Sequence, residues 1–280
     1  MMSRNGADRS AVCVMGRQRP GGVDAGQPNL ARVYNRLLGG KDNFAADREC
    51  VDGILKIVPQ FGHIAHANRR FMERTVRYLA RMGITQFLEL GSGLPARPNV
   101  HEVAQAVIPG TRVAYVDNDP VVVSHGHALL AVDGATTMIE ADLRDPVALL
   151  HRQTLLDLEQ PVAVLLFSVL DHINDGDDPA GIVAWLMSQV ASGSHLVLSH
   201  FTNDFDRDTC TTLADFTHEN DISMTIRSHE DIQGFFSGLT LLEPGLVQLP
   251  QWRPSLRRSD TKIRPATDRI WAYGGVARKP

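Results

Sequence analysis

Three carboxylates stand behind short apolar runs at regular places in the chain. They are Glu89 in Phe87-Leu88-Glu89-Leu90-Gly91-Ser92-Gly93-Leu94, Asp117 in Tyr115-Val116-Asp117-Asn118-Asp119, and Asp142 in Glu140-Ala141-Asp142-Leu143-Arg144. Each run reads as a strand, so each acid falls at a strand end. Gly91 and Gly93 let the backbone turn tightly after the first strand and let a ligand approach without meeting a Cβ; Ser92 lies between them. A carboxylate at Asp117 can accept both hydroxyls of an adenosine ribose, with Asn118 beside it as a further cofactor contact. One at Asp142 can accept from an adenine amino group while Leu143 offers its backbone N–H to the ring. Helix capping by Asn118 or Asp119, and by Asp142 or Asp145, is the competing use of these residues. Three acids at three successive strand ends are harder to assign to capping than one.

The turn Gly91-Ser92-Gly93-Leu94-Pro95-Ala96 also spells Gly-x-Gly-x-x-Ala, the dinucleotide fingerprint, so an NAD-linked oxidoreductase is a rival reading. Electrostatics weighs against it. A pyrophosphate at this turn would face Glu89, and at ~4–6 Å with an effective dielectric of about 20 the repulsion is a few kcal/mol. Pro95 crowds the place where a helix N-terminus presents N–H groups to phosphate. S-adenosylmethionine (SAM) carries an ammonium and a sulfonium, and both would be attracted to Glu89.

Other residues could face the same crevice. Ser168 follows the apolar run 162–167, where its backbone or hydroxyl can touch the adenosine or the methionine end. Asp171, His172 and His200 fall at the ends of the fourth and fifth strands, and one of them could serve as general base for an O- or N-acceptor; ordinary loop polarity is the competing reading of each. Methyl transfer can also run on positioning alone. Upstream, Tyr34 and the segment Lys41-Asp42-Asn43-Phe44 read as a lid over a cofactor, with Asn43 as a contact. Arg69 could pair with a methionine carboxylate. His63-x-x-His66 and His125-x-His127 lack matching acids at helical spacing, so no metal site is expected. The tryptophans read as packing residues, Trp252 being the one that could rim a pocket.

These residues need a frame to hold them. Helices are expected over 29–38, 44–58 and 63–82, the first stopped by Gly39-Gly40 and the second by Pro59. Strands and helices then alternate: strands over 86–90, 112–116, 136–141, 162–167 and 194–200, helices over 99–107, 120–130, 146–157, 178–190, 206–220 and 229–236, and last strands over 239–243 and 270–278. That alternation predicts a doubly wound, mostly parallel seven-stranded α/β sheet with an N-terminal helical extension. Residues 1–28, rich in Gly, Arg, Ser and Asp, read as a disordered leader, 29–83 as the extension or lid, and 84–280 as the ligand-binding domain.

Composition bounds the function. The chain has 280 residues, 43% hydrophobic, enough for a sizeable core. A net charge of −4 with no longer basic cluster than Arg69-Arg70 or Arg257-Arg258 disfavours a nucleic-acid partner. Three dispersed cysteines argue against a disulfide framework and fit a reducing cytoplasm. No apolar run approaches the roughly 20 residues of a membrane span, and no apolar segment follows the N-terminal arginines as in a signal peptide.

Longer motifs add to this reading. Ala31–Phe44 (Ala-Arg-Val-Tyr-Asn-Arg-Leu-Leu-Gly-Gly-Lys-Asp-Asn-Phe), Ala67-Asn68-Arg69-Arg70-Phe71, Gly91-Ser92-Gly93-Leu94-Pro95, Asn99-Val100-His101-Glu102, Tyr115–Pro120, Ala141–Pro146, Leu196–His200, Glu243–Val247 and Trp252-Arg253-Pro254 together span about nine-tenths of the chain. Over 31–280 the sequence resembles the actinobacterial S-adenosyl methyltransferase family, DUF574 or Methyltransf_19. The resemblance implies a Rossmann-like class I methyltransferase fold and SAM binding, and it supplies no acceptor. Ser168-Val169-Leu170-Asp171-His172 departs from the more apolar segment of that pattern. The expectation is a cytoplasmic SAM-dependent methyltransferase acting on a small molecule; a SAM-binding sensor without turnover is the alternative.

Overall fold

The structure, a computed structural model of the chain, describes residues 24–131, 134–254 and 270–280. Most of the expected leader, residues 1–23, lies outside them.

Three helices come first: α1 (Leu30–Leu37), α2 (Ala45–Ile57) and α3 (Phe61–Arg81). Asn29 caps α1, its side chain accepting from Arg32 N. The buried Asp47 ties α1 to α2. One of its oxygens accepts from Asn29 N at 2.9 Å, and the other accepts from Phe44 N at 2.7 Å and Arg32 Nε at 2.8 Å. A buried carboxylate is tolerated there because every bond it needs is made. The long α3 turns Ile64, Phe71, Val76 and Leu79 inward at helical spacing.

The sheet domain follows as β1 (Gln86–Leu90), α4 (Val100–Gln105), β2 (Arg112–Asp117), α5 (Pro120–Leu129), β3 (Thr136–Glu140), α6 (Pro146–Arg152), β4 (Ala163–Phe167), α7 (Pro179–Ser188), β5 (His195–Phe201), α8 (Arg207–Glu219), α9 (His229–Gly234), β6 (Thr240–Leu241), β7 (Val247–Gln248) and β8 (Ala272–Arg278). The strand order is β3-β2-β1-β4-β5-β8-β6, with β7 also on β8. The first five strands are parallel, and β8 runs antiparallel to β5. The α/β class, the doubly wound order and the helical extension match the sequence reading. The described sheet has eight strands rather than seven, because Val247 and Gln248 form a two-residue strand too short to leave a periodic signal.

Helices α5, α6 and α7 each begin Asp-Pro, the aspartate as cap and the proline in the first turn, where its missing N–H has no partner to lose. Alternate residues of each strand enter opposite cores. Phe87, Val113, Tyr115 and Leu165 face α3 to α5, while Leu88, Leu90, Val116 and Leu166 face α7 and α9. Trp252 is fully buried against Phe71 and Tyr78, with edge-on ring centroids 5.8 and 5.6 Å away. It is a packing residue and does not rim a pocket.

Candidate active site

At the C-terminal ends of β1 to β4 lies a cavity of about 310 Å³, at the low end of small-molecule sites (~300–1,000 Å³). This is the edge of an open α/β sheet where ligands bind, beside the point where strand order reverses between β1 and β4. The sheet order sets out the wall: Asp142 and Leu143 after β3, Asp117 and Asn118 after β2, the glycine turn after β1, and Ser168 to Ile173 after β4.

The glycine turn needs its glycines. Gly91 (φ 69°) and Gly93 (φ 64°) lie in the left-handed region. A Cβ on Gly91 would sit 2.3 Å from Val169 Cγ2, whereas a Cβ on Gly93 would meet no atom within 4 Å. The first glycine therefore admits the neighbouring wall and the second opens onto space. Asp117 braces the turn, accepting from Gly93 N at 2.8 Å and from Asp119 N at 3.0 Å through its two oxygens. An ionised carboxylate has about four acceptor sites, so each oxygen keeps capacity for a ligand. Ser92 Oγ is buried without a hydrogen-bond partner.

Glu89 is 5% exposed and lines the cavity. No described residue donates a hydrogen bond to its carboxylate. Burial pushes its pKa up to about 7, Arg69 pulling against the rise and Asp117 adding to it. A buried acid in this state gains by meeting a cation. Asp142, by contrast, is held at about 2 by hydrogen bonds from Arg144. Arg144 reaches it through Nη2 at 2.6 Å, Nε and the backbone N–H, and Asn118 Nδ2 adds a bond at 3.2 Å. Asp142 and Asn118 are thus cross-linked at the cavity wall, and a ligand amino group would have to share that carboxylate with Arg144. The pairing had a plain signal in the sequence, an arginine two residues after the acid, which the reading passed over.

On the β4 side Ser168 takes a positive φ of 53°, its N–H held by the Ser199 carbonyl and hydroxyl at 3.1 Å each. His172 lines the cavity. Two of the three candidate bases do not. Asp171 and His200 are buried, and neither contributes to the cavity wall. His200 Nδ1 lies 2.7 Å from Asp171 Oδ1, and its Nε2 lies 2.8 Å from Arg227 Nη1. A guanidinium can only donate, so Nε2 is the acceptor and the ring is neutral. Arg227 also donates to the carbonyls of Leu170 and Ile173 and to Asp175. This network pins the turn that carries His172. Nothing in the local sequence around Arg227 announced it, because its partners lie 27 to 57 residues away.

The extension contributes to the wall. Asn29, Leu30, Ala31 and Tyr34 from the start of α1, and Asn68, Arg69 and Met72 from α3, line the cavity. Asn29 Nδ2 donates to Asp119 Oδ2 at 2.5 Å, joining the extension to the cap of α5. Tyr34 Oη receives Asn68 Nδ2 at 3.1 Å, and Asn68 Oδ1 receives Ser199 Oγ at 2.7 Å. Arg69 Nη2 donates to the carbonyls of Ala96 and Pro98 at 2.5 and 2.6 Å, which leaves its other N–H groups for a ligand. Asn43 does not reach the cavity. Its amide donates to Asn35 Oδ1 and to the Gly40 carbonyl, closing the turn between α1 and α2.

The cavity fits SAM. It offers a buried carboxylate lacking a cation, a glycine with open space, and an unpartnered hydroxyl in one turn. A family model described as S-adenosyl methyltransferase matches residues 16–280. The chain belongs to the S-adenosyl methyltransferase family. As a family member it is an enzyme that uses SAM as methyl donor. It is 40% identical to a DUF574 family protein from Streptomyces avermitilis, with a TM-score of 0.85 over 91% of this chain and 98% of that one. With a candidate methyltransferase from Thermobifida fusca it shares 39% identity and a TM-score of 0.83, over 90% of this chain and 95% of that one. The plantazolicin methyltransferase BamL, solved with a triazolic desmethylPZN analogue and SAH, shares the fold at 10% identity and a TM-score of 0.53, over 89% and 95% of the two chains. No curated protein is significantly similar. Among the described residues no helix is long and apolar enough to cross a membrane, and no cluster of three or more metal-ligating side chains occurs.

Proposed function

We propose that this S-adenosyl methyltransferase transfers the methyl group to a small-molecule acceptor bound on the β4 side of the cavity, under α1 and α3. The observation that carries this is the contrast between charged, polar groups at the ends of β1 to β3 and the largely apolar wall of Met72, Phe167, Val169 and Ile173 beside them.

When bound, SAM supplies an electrophilic methyl on a sulfonium that is already a good leaving group. Glu89 would hold the cationic end, with Arg69 in reach of the methionine carboxylate. Asp117 and Asn118 would hold the ribose, and Asp142 and Leu143 the adenine. Gly91, Ser92, Gly93 and Ser168 would form the backbone cradle. Residues 29–83 would act as a lid, since they help exclude water from the partly buried Tyr34 and the buried Glu89. Free buried Cys50 and Cys210 support a cytoplasmic setting.

The test is release of S-adenosylhomocysteine (SAH) from SAM on adding a small-molecule cell extract. Release that requires both protein and extract supports transfer. Tight SAH binding without release under any extract would overturn the small-molecule acceptor.

A further inference from the structure

Among the described titratable groups of the β4 side, His172 alone lines the cavity. Its Nδ1 lies 2.7 Å from the carbonyl oxygen of Ser223. A carbonyl can only accept, so Nδ1 carries the proton and Nε2 of the neutral ring carries the lone pair. No described residue bonds to Nε2. The ring is also held in place from behind. It closes the 3₁₀ turn Leu170–His172, whose Leu170 carbonyl accepts from Arg227 and whose Asp171 accepts from Phe201 N and lies against His200. A carbonyl-set tautomer, a fixed ring and an unpartnered nitrogen on a residue that lines the cavity are the elements of a general base.

We infer that His172 Nε2 is the base that takes the proton from a phenol-type hydroxyl acceptor as that oxygen is methylated. This rests on the methyltransferase reading above. The choice of acceptor follows from two features. Imidazole is matched to a donor group such as a phenol (pKa about 10) far better than to an aliphatic alcohol. Phe167, Met72 and Tyr34, which line the same cavity, suit a flat aromatic ring, with a thioether and two aromatic side chains to pack on it. In the step the acceptor O–H gives its proton to Nε2, and the freed oxygen pair forms the bond to the methyl carbon. The C–S bond breaks with its electron pair remaining on sulfur, so a sulfonium becomes a neutral thioether. Burial holds the His172 ring below the ordinary histidine value, with Asp171 opposing the shift, so the base is unprotonated at neutral pH.

Two readouts test this. Two-bond ¹H–¹⁵N imidazole spectra of the SAH-bound protein at pH 7.5, with the His172 signals assigned by their loss in His172→Gln, should show a protonated Nδ1 and a bare Nε2. The opposite tautomer, or a doubly protonated ring, overturns the proposal. Methyl transfer is then compared for phenol and for 4-nitrophenol at a pH where the latter is ionised. His172→Gln should lose about 10²–10³-fold with phenol, the usual scale of a positioned base, and less than about tenfold with 4-nitrophenolate, with SAH affinity kept within a few-fold. Equal losses on both acceptors overturn the base role. Methylation of neither by the wild-type enzyme, with SAH still bound, overturns the phenolic class and leaves the methyltransferase reading standing. Absence of SAH binding sinks the underlying reading instead.

Discussion

At the end of β1 the polar groups face space: Glu89 has no hydrogen-bond donor among the described residues, Ser92 Oγ has no partner, and Gly93 opens onto the cavity, while Asp117 at the end of β2 keeps acceptor capacity beside its two backbone bonds. At the ends of β4 and β5 an acid and a histidine face each other. Asp171, His200 and Arg227 satisfy one another inside the core, and only His172 remains at the wall. Both regions place an acid near a strand end. A polar side chain at a strand end is a ligand group where its bonds are left open and a structural one where neighbours close them.

The largest effect should come from cutting the closed network. Arg227→Met would leave His200 Nε2 and two carbonyls buried without donors, at a cost of roughly 3–5 kcal/mol. Thermal denaturation should shift down by about 10 °C, while the protein that remains folded still binds SAH. An unchanged melting temperature would break the contrast. Next is Gly91→Ala, which combines a left-handed backbone with a Cβ driven into Val169. A cost of roughly 2–4 kcal/mol, or about 30–1,000-fold in SAH affinity by calorimetry, is expected.

Glu89 sharpens the comparison through pH. Its pKa is raised from 4.5 to about 7 in the free protein. The stability it contributes is present below 4.5 and is lost as pH rises through about 7. SAM, being cationic there, binds the ionised form. Affinity for SAM should therefore rise with pH up to about 7 and level off above it, by as much as tenfold per unit on the acid side. Glu89→Gln should flatten that profile and weaken SAM more than SAH, which lacks the sulfonium charge. The smallest effect is at the joint between the extension and the cap of α5. Asn29→Ala removes the α1 cap and the bond to Asp119. It should lower stability by about 1 kcal/mol and speed SAH dissociation a few-fold in stopped flow.

The frame, and most of the residues that line the cavity, were legible in the sequence, because both are written locally. Period-two apolar runs, Asp-Pro helix starts and a glycine turn each announce themselves within a few residues. Glu89, Asp117, Asp142, Leu143, Ser168 and Arg69 all line the cavity. The closed side was not legible. Whether Asp171 and His200 face a ligand depends on Arg227, which only the fold brings to them. Asn43 failed for a related reason: its partner Asn35 stands across a turn whose conformation the sequence left open. Short strands such as β7 arise from pairing with β8 and have no period of their own.

The central claim is that the open groups around the glycine turn form the SAM site, and calorimetric titration of the full chain with SAH tests it most directly. One site per chain should be seen in the wild type. In Asp117→Ala, which loses both the ribose acceptor and the brace on Gly93, affinity should fall by about 100-fold or more. No binding by the wild type at millimolar SAH, or equal binding by the variant, would contradict the account.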